Sequence, residues 1–223
     1  MTMNLPPALK RRLRFLVGFA TPLSFSFSTG HFRSAMGSRA VDQKGQPLPW
    51  YTYPAIYYLS QLDFSSADVL EFGGGQSTLW WDQRARSVTT LESSPTFLAQ
   101  LEPKVSPRVA LHRVGSPADS ARSIEGRMFD ILIVDDGSGI GPSGRSTNAL
   151  TAFAHAKPDG LIIVDNADAP PSAPIATEAA ARGWHRIDFI GFAPASFRQY
   201  ATSIYFKDPT RLKPQAPPRV AGI

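Results

Sequence analysis

The chain contains no cysteine. Disulfides, zinc–thiolate sites and thiol nucleophiles are therefore excluded, and the composition points to a cytoplasmic protein. No apolar run is long enough to span a bilayer, no internal repeat is visible, and the Gly-x-Gly-x-x-Gly dinucleotide fingerprint is absent. Positive charge is missing where a nucleic-acid groove would need it. The formal net charge is +5, yet residues 1–41 carry six basic side chains and no acid, and residues 207–223 carry four against one. Residues 42–206 are left with 13 basic and 17 acidic groups, a net −4. No nucleic-acid partner is expected for such a body.

What the sequence does have is a sharply punctuated stretch, Val69-Leu70-Glu71-Phe72-Gly73-Gly74-Gly75-Gln76-Ser77-Thr78-Leu79-Trp80-Trp81. A short apolar run, a carboxylate, three glycines and a resumed apolar segment read as strand, tight turn and helix. Glycines let the backbone approach a ligand closely, and the helix start offers free N–H groups. Glu71 argues against a phosphate cradle and for a cationic group or an amine. A second strand, Ser87 to Glu92, ends in an acid 19 residues beyond Gly73, the spacing at which a carboxylate meets ribose hydroxyls. A third strand, Arg108 to Val114, leads to Gly115-Ser116. Phe129-Asp130-Ile131-Leu132-Ile133-Val134 reads as a strand buried on both faces, ending in Asp135-Asp136. The Gly/Ser-rich loop Ser138 to Thr147 is expected to be mobile and open to substrate. Lys157 to Gly160 reads as a turn into a fifth strand, Leu161 to Asn166, and two further strands finish the sheet as an antiparallel hairpin. The strand ends thus set Glu71, Glu92, Asp135 and Asp165 along one edge.

The flanks are less regular. Lys10 to Ala20 superficially resembles a secretory leader, but the apolar run is short, Pro22 and serines interrupt it, and no small-x-small cleavage site follows. A short amphipathic helix capping the domain is expected, the alternative being peripheral contact with anionic lipid through its basic side. Trp50, Tyr51 and Tyr53 either pack on the sheet edge or wall a pocket.

Over residues 50–206 the pattern resembles the class I S-adenosylmethionine-dependent methyltransferases. The motifs that carry the likeness are Val69 to Gly75, Glu92, Phe129 to Asp136 and Lys157 to Leu161. The resemblance implies an α/β, three-layer Rossmann-like sandwich whose mostly parallel seven-stranded sheet has its last strand antiparallel. Residues 1–49 become a basic extension or cap and residues 207–223 a loose tail. It also implies that Glu71, Gly73, Gly74 and Gly75 meet the methionine end of S-adenosylmethionine, that Glu92 meets its ribose, that Gly115 and Ser116 meet its adenine, and that Ser77, Ser93 and Asp135 also belong to the cofactor site. Ser77 departs from the family, many of whose members carry a third glycine there.

A narrower likeness, to the metal-dependent O-methyltransferases of the catechol and caffeoyl-coenzyme A type, implies a Mg²⁺ site at Asp135, Asp165 and Asn166. The lysine those enzymes carry after the first acid is missing. The reading is methyl transfer to oxygen or nitrogen of a small-molecule or glycan-like acceptor, with Asp135 or Asp136 as base or orienting group. A nicotinamide-dependent oxidoreductase and an inactive cofactor-binding interaction module are the alternatives.

Overall fold

The computed structural model describes residues 6–136 and 144–217. Seven strands, β1 (Asp68–Phe72), β2 (Ser87–Glu92), β3 (Val109–Arg113), β4 (Phe129–Val134), β5 (Ala156–Val164), β6 (His185–Phe192) and β7 (Gln199–Phe206), form one sheet in the order β3-β2-β1-β4-β5-β7-β6. The first five run parallel, and β7 is antiparallel to both β5 and β6. This is the sheet expected from the sequence.

The period of two along each central strand divides the core into two layers. Val69, Ile131, Ile133 and Ile163 pack on one face of the sheet, with α3 (Tyr53–Leu59) and α4 (Gln76–Asp82). Leu70, Leu132, Ile162 and Val164 pack on the other, with α7 (Gly144–His155) and α8 (Ala173–Ala181). All six residues of β4 are buried, so its continuous apolar run follows from having helices on both sides. The shorter α5 (Pro95–Leu101) and α6 (Pro117–Ser123) follow β2 and β3.

After β1 the chain builds outward through β2 and β3, then returns to start β4 on the other side of β1. The crevice beyond the carboxyl ends of β1 and β4 is the switch point at which open α/β sheets take ligands. The ladder runs one residue past both strands, with Gly73 N–H donating to Leu91 O at 2.9 Å and Asp135 N–H to Phe72 O at 3.0 Å. The turn glycines and the acids after β4 are thereby fixed against each other.

Four local expectations are corrected. Lys157 to Gly160 belongs to β5, which starts at Ala156 and meets β4 through a register break between Phe129 and Ile131. Of the expected loop Ser138 to Thr147, residues 138–143 lie outside the described residues, and Gly144 to Thr147 already form the start of α7. The segment after Lys207 is tied down at its start, where Leu212 is buried and its carbonyl accepts from Tyr58 Oη at 2.6 Å. The amino-terminal helix is not short: α1 (Pro7–Ser28) has 22 residues, and α2 (His31–Gly37) follows it. Phe25 fixes its last turn to the body, its ring 5.3 Å from Tyr53 and 6.4 Å from Phe192, whereas Lys10 through Ser24 are all exposed.

Candidate active site

A cleft of about 780 Å³ opens over the carboxyl ends of β1, β2, β4 and β5, within the range typical of small-ligand sites. Its floor is the turn Gly73–Gly75, and the three glycines have different reasons to be there. Gly73 has φ +92°, and a Cβ on it would lie 2.6 Å from Asp135 O, so the position is closed to side chains by backbone geometry and packing together. A Cβ on Gly74 would meet Thr90 Cγ2 at 2.9 Å. Gly75 is extended, and a Cβ there would find no atom within 4 Å. Gly75 lines the cleft, so a side chain at this position would fill space that the turn otherwise leaves to a ligand.

Glu71 is fully buried under this turn and does not line the cleft. Its Oε2 accepts from Thr78 Oγ1 at 2.5 Å and from Thr90 Oγ1 at 3.0 Å, and Thr78 Oγ1 in turn accepts from Gly75 N–H at 3.0 Å. Glu71 therefore sets the glycine turn and the start of α4 from beneath. Burial pushes its carboxyl up to about 7, opposed by the hydroxyls of Ser77, Thr78 and Thr90, with the charge of Asp135 adding to the rise.

Glu92 and Ser93 do line the cleft. The Glu92 carboxylate accepts from Gly74 N–H at 2.7 Å and from Ser94 N–H at 2.6 Å, one on each oxygen. Oε1 also accepts from Ser93 Oγ at 3.4 Å, whereas Oε2, with Gly74 N–H as its one partner, keeps a lone pair for a further donor such as a ribose hydroxyl. Ser77, also expected in the site, lies on the wall. Gly115 and Ser116 do not. They are engaged by Asp119, which accepts from Gly115 N–H at 3.1 Å and from Ser116 Oγ at 2.9 Å, so the nearby wall is made by Val114 and Ser120 instead.

Beyond β4 and β5, Asp135, Asp136, Asp165 and Asn166 all reach the cleft, and the structure adds a residue that the sequence reading missed. Arg145, in the first turn of α7, donates to the carbonyls of Asp136 (2.8 Å) and Asp165, and lies 3.8 Å from the Asp135 carboxylate and 4.0 Å from that of Asp136. Asn148, one turn on, donates to Asp136 Oδ2 at 3.0 Å. Burial raises Asp135 to about 6, with Arg145 pulling it down and Asp136 pushing it up. Asp165 stands well above the ordinary carboxylate range, through burial first and the charge of Asp135 second, although Thr202 Oγ1 donates to it at 2.7 Å. The one signal for Arg145 was that no other Lys, Arg, Asp or Glu stands between Asp136 and Lys157.

These neighbours do not fit Mg²⁺ at Asp135, Asp165 and Asn166. One Asp165 oxygen is taken by Thr202, the Asp165 carbonyl by Arg145, and a divalent ion beside Asp135 would sit against a guanidinium. Among the described residues no group of three His, Cys, Asp or Glu side chains is placed to hold a metal. The fit to the nucleoside cofactor is better: an open glycine position, a carboxylate with a free lone pair at ribose spacing, and an apolar wall at Leu91, Leu101 and Val114.

The remaining walls come from far along the chain. Trp50 lines the cleft and its Nε1 donates to Pro194 O at 2.8 Å, while Tyr51 and Tyr53 are core residues, so the aromatic cluster divides between the two roles expected for it.

No family model matches the sequence, and no curated protein matches it. Solved structures do. The O-methyltransferase TomG of Streptomyces achromogenes, involved in tomaymycin synthesis and solved with S-adenosylmethionine, superposes with a TM-score of 0.54 at 19% identity, over 86% of this chain and 95% of its own. A protein of Streptococcus mutans described as a methyltransferase candidate and solved with S-adenosylhomocysteine gives 0.50 at 13% identity, over 67% of this chain and 93% of its own. A spermidine synthase in complex with a transition-state analogue gives 0.53 at 14% identity, over 72% and 63%. With its strand order, its switch-point cleft and these neighbours, the chain has the fold of the class I S-adenosylmethionine-dependent methyltransferases.

Proposed function

We propose that the protein transfers a methyl group from S-adenosylmethionine to an oxygen or nitrogen of a small-molecule acceptor. The observation that carries this reading is the floor of the cleft, where Gly75 leaves free space next to Gly74, whose N–H holds the cleft-lining Glu92 carboxylate, at the end of a sheet of this fold. Gly73 to Gly75, Ser77, Glu92 and Ser93 would hold the cofactor's methionine and ribose, and Val114 and Ser120 would face its base. Bound there, the cofactor supplies an electrophilic sulfonium methyl. The protein's part is largely to hold an acceptor in line with it.

Asp135 is the group suited to the acceptor. Its carboxyl is partly open to the cleft and raised to about 6, so above that pH it is charged, yet more basic than an ordinary aspartate. It can take a hydrogen bond, and then a proton, from an acceptor hydroxyl or ammonium at its Oδ. Arg145 keeps Asp135 and Asp136 together without cancelling both charges, and Asn148 fixes Asp136.

Calorimetry with S-adenosylhomocysteine and with NAD tests the reading. The full chain is expected to bind the former, and Gly75→Val to lose that binding while its stability stays within about 0.5 kcal/mol, since a Cβ at this position has open space around it. Gly73→Val should by contrast destabilise the fold, because the clash is with the backbone of Asp135. Binding of NAD alone, or unchanged affinity in Gly75→Val, would overturn the assignment.

A further inference from the structure

The cleft leaves the amino-terminal helix unexplained. From Lys10 to Ser24 every residue of α1 is exposed, a free length of roughly 22 Å at 1.5 Å per residue. The helix is amphipathic along this length. Leu16, Phe19, Leu23 and Phe27, spaced i, i+3, i+7 and i+11, form one stripe, and they are 63%, 75%, 61% and 64% exposed. Lys10, Arg14 and Thr21 fall on the opposite side, which also carries the exposed Val17, while Leu13 and Phe15 flank the stripe and Arg12 stands one turn before Leu16 in line with it. The stripe continues onto α2, where Phe32 lies 5.5 Å from the Phe27 ring and Met36 is also exposed. A soluble surface rarely leaves a contiguous apolar face of this length uncovered.

We propose that α1 is a surface anchor that lays this stripe into the interface of a bilayer bearing anionic headgroups, held there by Lys10, Arg11, Arg12 and Arg14. The charge distribution selects this occupant. Residues 1–41 hold six basic groups and no acid, so a second α1 would bring like charge to the same place if parallel and leave both basic ends without a counter-charge if antiparallel, whereas an anionic bilayer supplies an apolar phase and the opposite charge together. Among the described residues no helix is long and apolar enough to cross a membrane, and the mode is therefore in-plane insertion. Ser38 and Arg39, directly after α2, line the cleft, so the anchor joins the body at the cleft's rim.

Flotation of the full chain with phosphatidylcholine vesicles, with and without phosphatidylglycerol, tests the anchor. The protein is expected to float with the phosphatidylglycerol vesicles and to be released by salt. Replacing Leu16 and Phe19 by Asp should abolish flotation without moving the thermal melt, because both side chains face solvent. Each of Lys10, Arg11, Arg12 and Arg14 changed to Gln should weaken partitioning by roughly fivefold. Failure to float, or equal flotation with pure phosphatidylcholine, would overturn the proposal. So would a dimer in sedimentation velocity that dissociates in the Leu16→Asp, Phe19→Asp variant without any vesicle binding, since a second copy would then cover α1. S-adenosylhomocysteine binding, measured on the same samples, should be unaffected, so failure of the anchor and failure of the cofactor assignment are separable.

Discussion

Strands β1 and β4 carry carboxylates at both ends, and the two ends treat them in opposite ways. At the amino ends, Asp68 and Asp130 are met by Arg86, Lys157 and Arg211, with Lys157 Nζ 2.8 Å from Asp130 and 3.7 Å from Asp68, and Arg211 also pairing with Asp159 at 2.9 Å. Asp68 is held down to about 2, chiefly by its hydrogen bond to Arg86. At the carboxyl ends, Glu71, Asp135, Asp136 and Asp165 gather around one cation among the described ion pairs, Arg145, which pairs with Asp135 and Asp136 alone, and all four are raised. Three cations for three acids make a clamp that closes the bottom of the sheet. One cation for four acids leaves a region whose charge is incompletely neutralised, as a site must be if its groups are to exchange protons or meet a polar ligand.

Breaking the clamp should have the largest effect. Asp130→Ala leaves Lys157 and Arg211 without a common partner and removes the acceptor for Asp68 N–H, and a loss of about 3 kcal/mol in urea unfolding is expected, with S-adenosylhomocysteine affinity of the folded fraction unchanged. A loss below about 1 kcal/mol would mean that the amino-end cluster is no clamp.

The upper end should show its imbalance as a pH dependence. Glu71 has a folded pKa of about 7 against an ordinary 4.5, so its contribution to stability is fully present below pH 4.5 and is lost as pH rises through 7. The span corresponds to roughly 3 kcal/mol, and Glu71→Gln should flatten that part of the stability–pH curve. An identical slope in the variant would assign the titration elsewhere.

The smallest of these effects concerns Arg145. Arg145→Gln should cost about 1–2 kcal/mol at pH 8 and less at pH 5, because Asp135, with its folded pKa of about 6, is largely protonated at the lower pH and repels its neighbours less. Equal losses at both pH values would show that Arg145 acts through its carbonyl hydrogen bonds rather than through charge.

Much of this architecture was legible from local pattern. The unbroken apolar run of β4, the glycines after β1 and the acids at four strand ends are sequence-adjacent signals, and the fold follows from them. What was not legible depends on which residues meet across the sheet. Glu71 turns inward because Thr90, on the neighbouring strand, and Thr78, in the first turn of α4, both offer it hydroxyls. The metal reading placed Asp135, Asp165 and Asn166 correctly at one edge, but could not see that α7 would deliver a guanidinium among them. The roles of Gly73 and Gly75 look identical in sequence and separate only when β4 packs beside the turn.

The bond between Trp50 and Pro194, which joins residues 144 apart to close one wall of the cleft, gives the protein an optical reporter of its own. Of its four tryptophans, Trp80, Trp81 and Trp184 are 1%, 0% and 9% exposed, whereas Trp50 is 47% exposed and stands on the cleft wall. Filling the cleft changes the polarity around this one indole and leaves the others in the same surroundings. Its emission can therefore follow ligand entry in the unmodified chain, without a label and without knowledge of the acceptor.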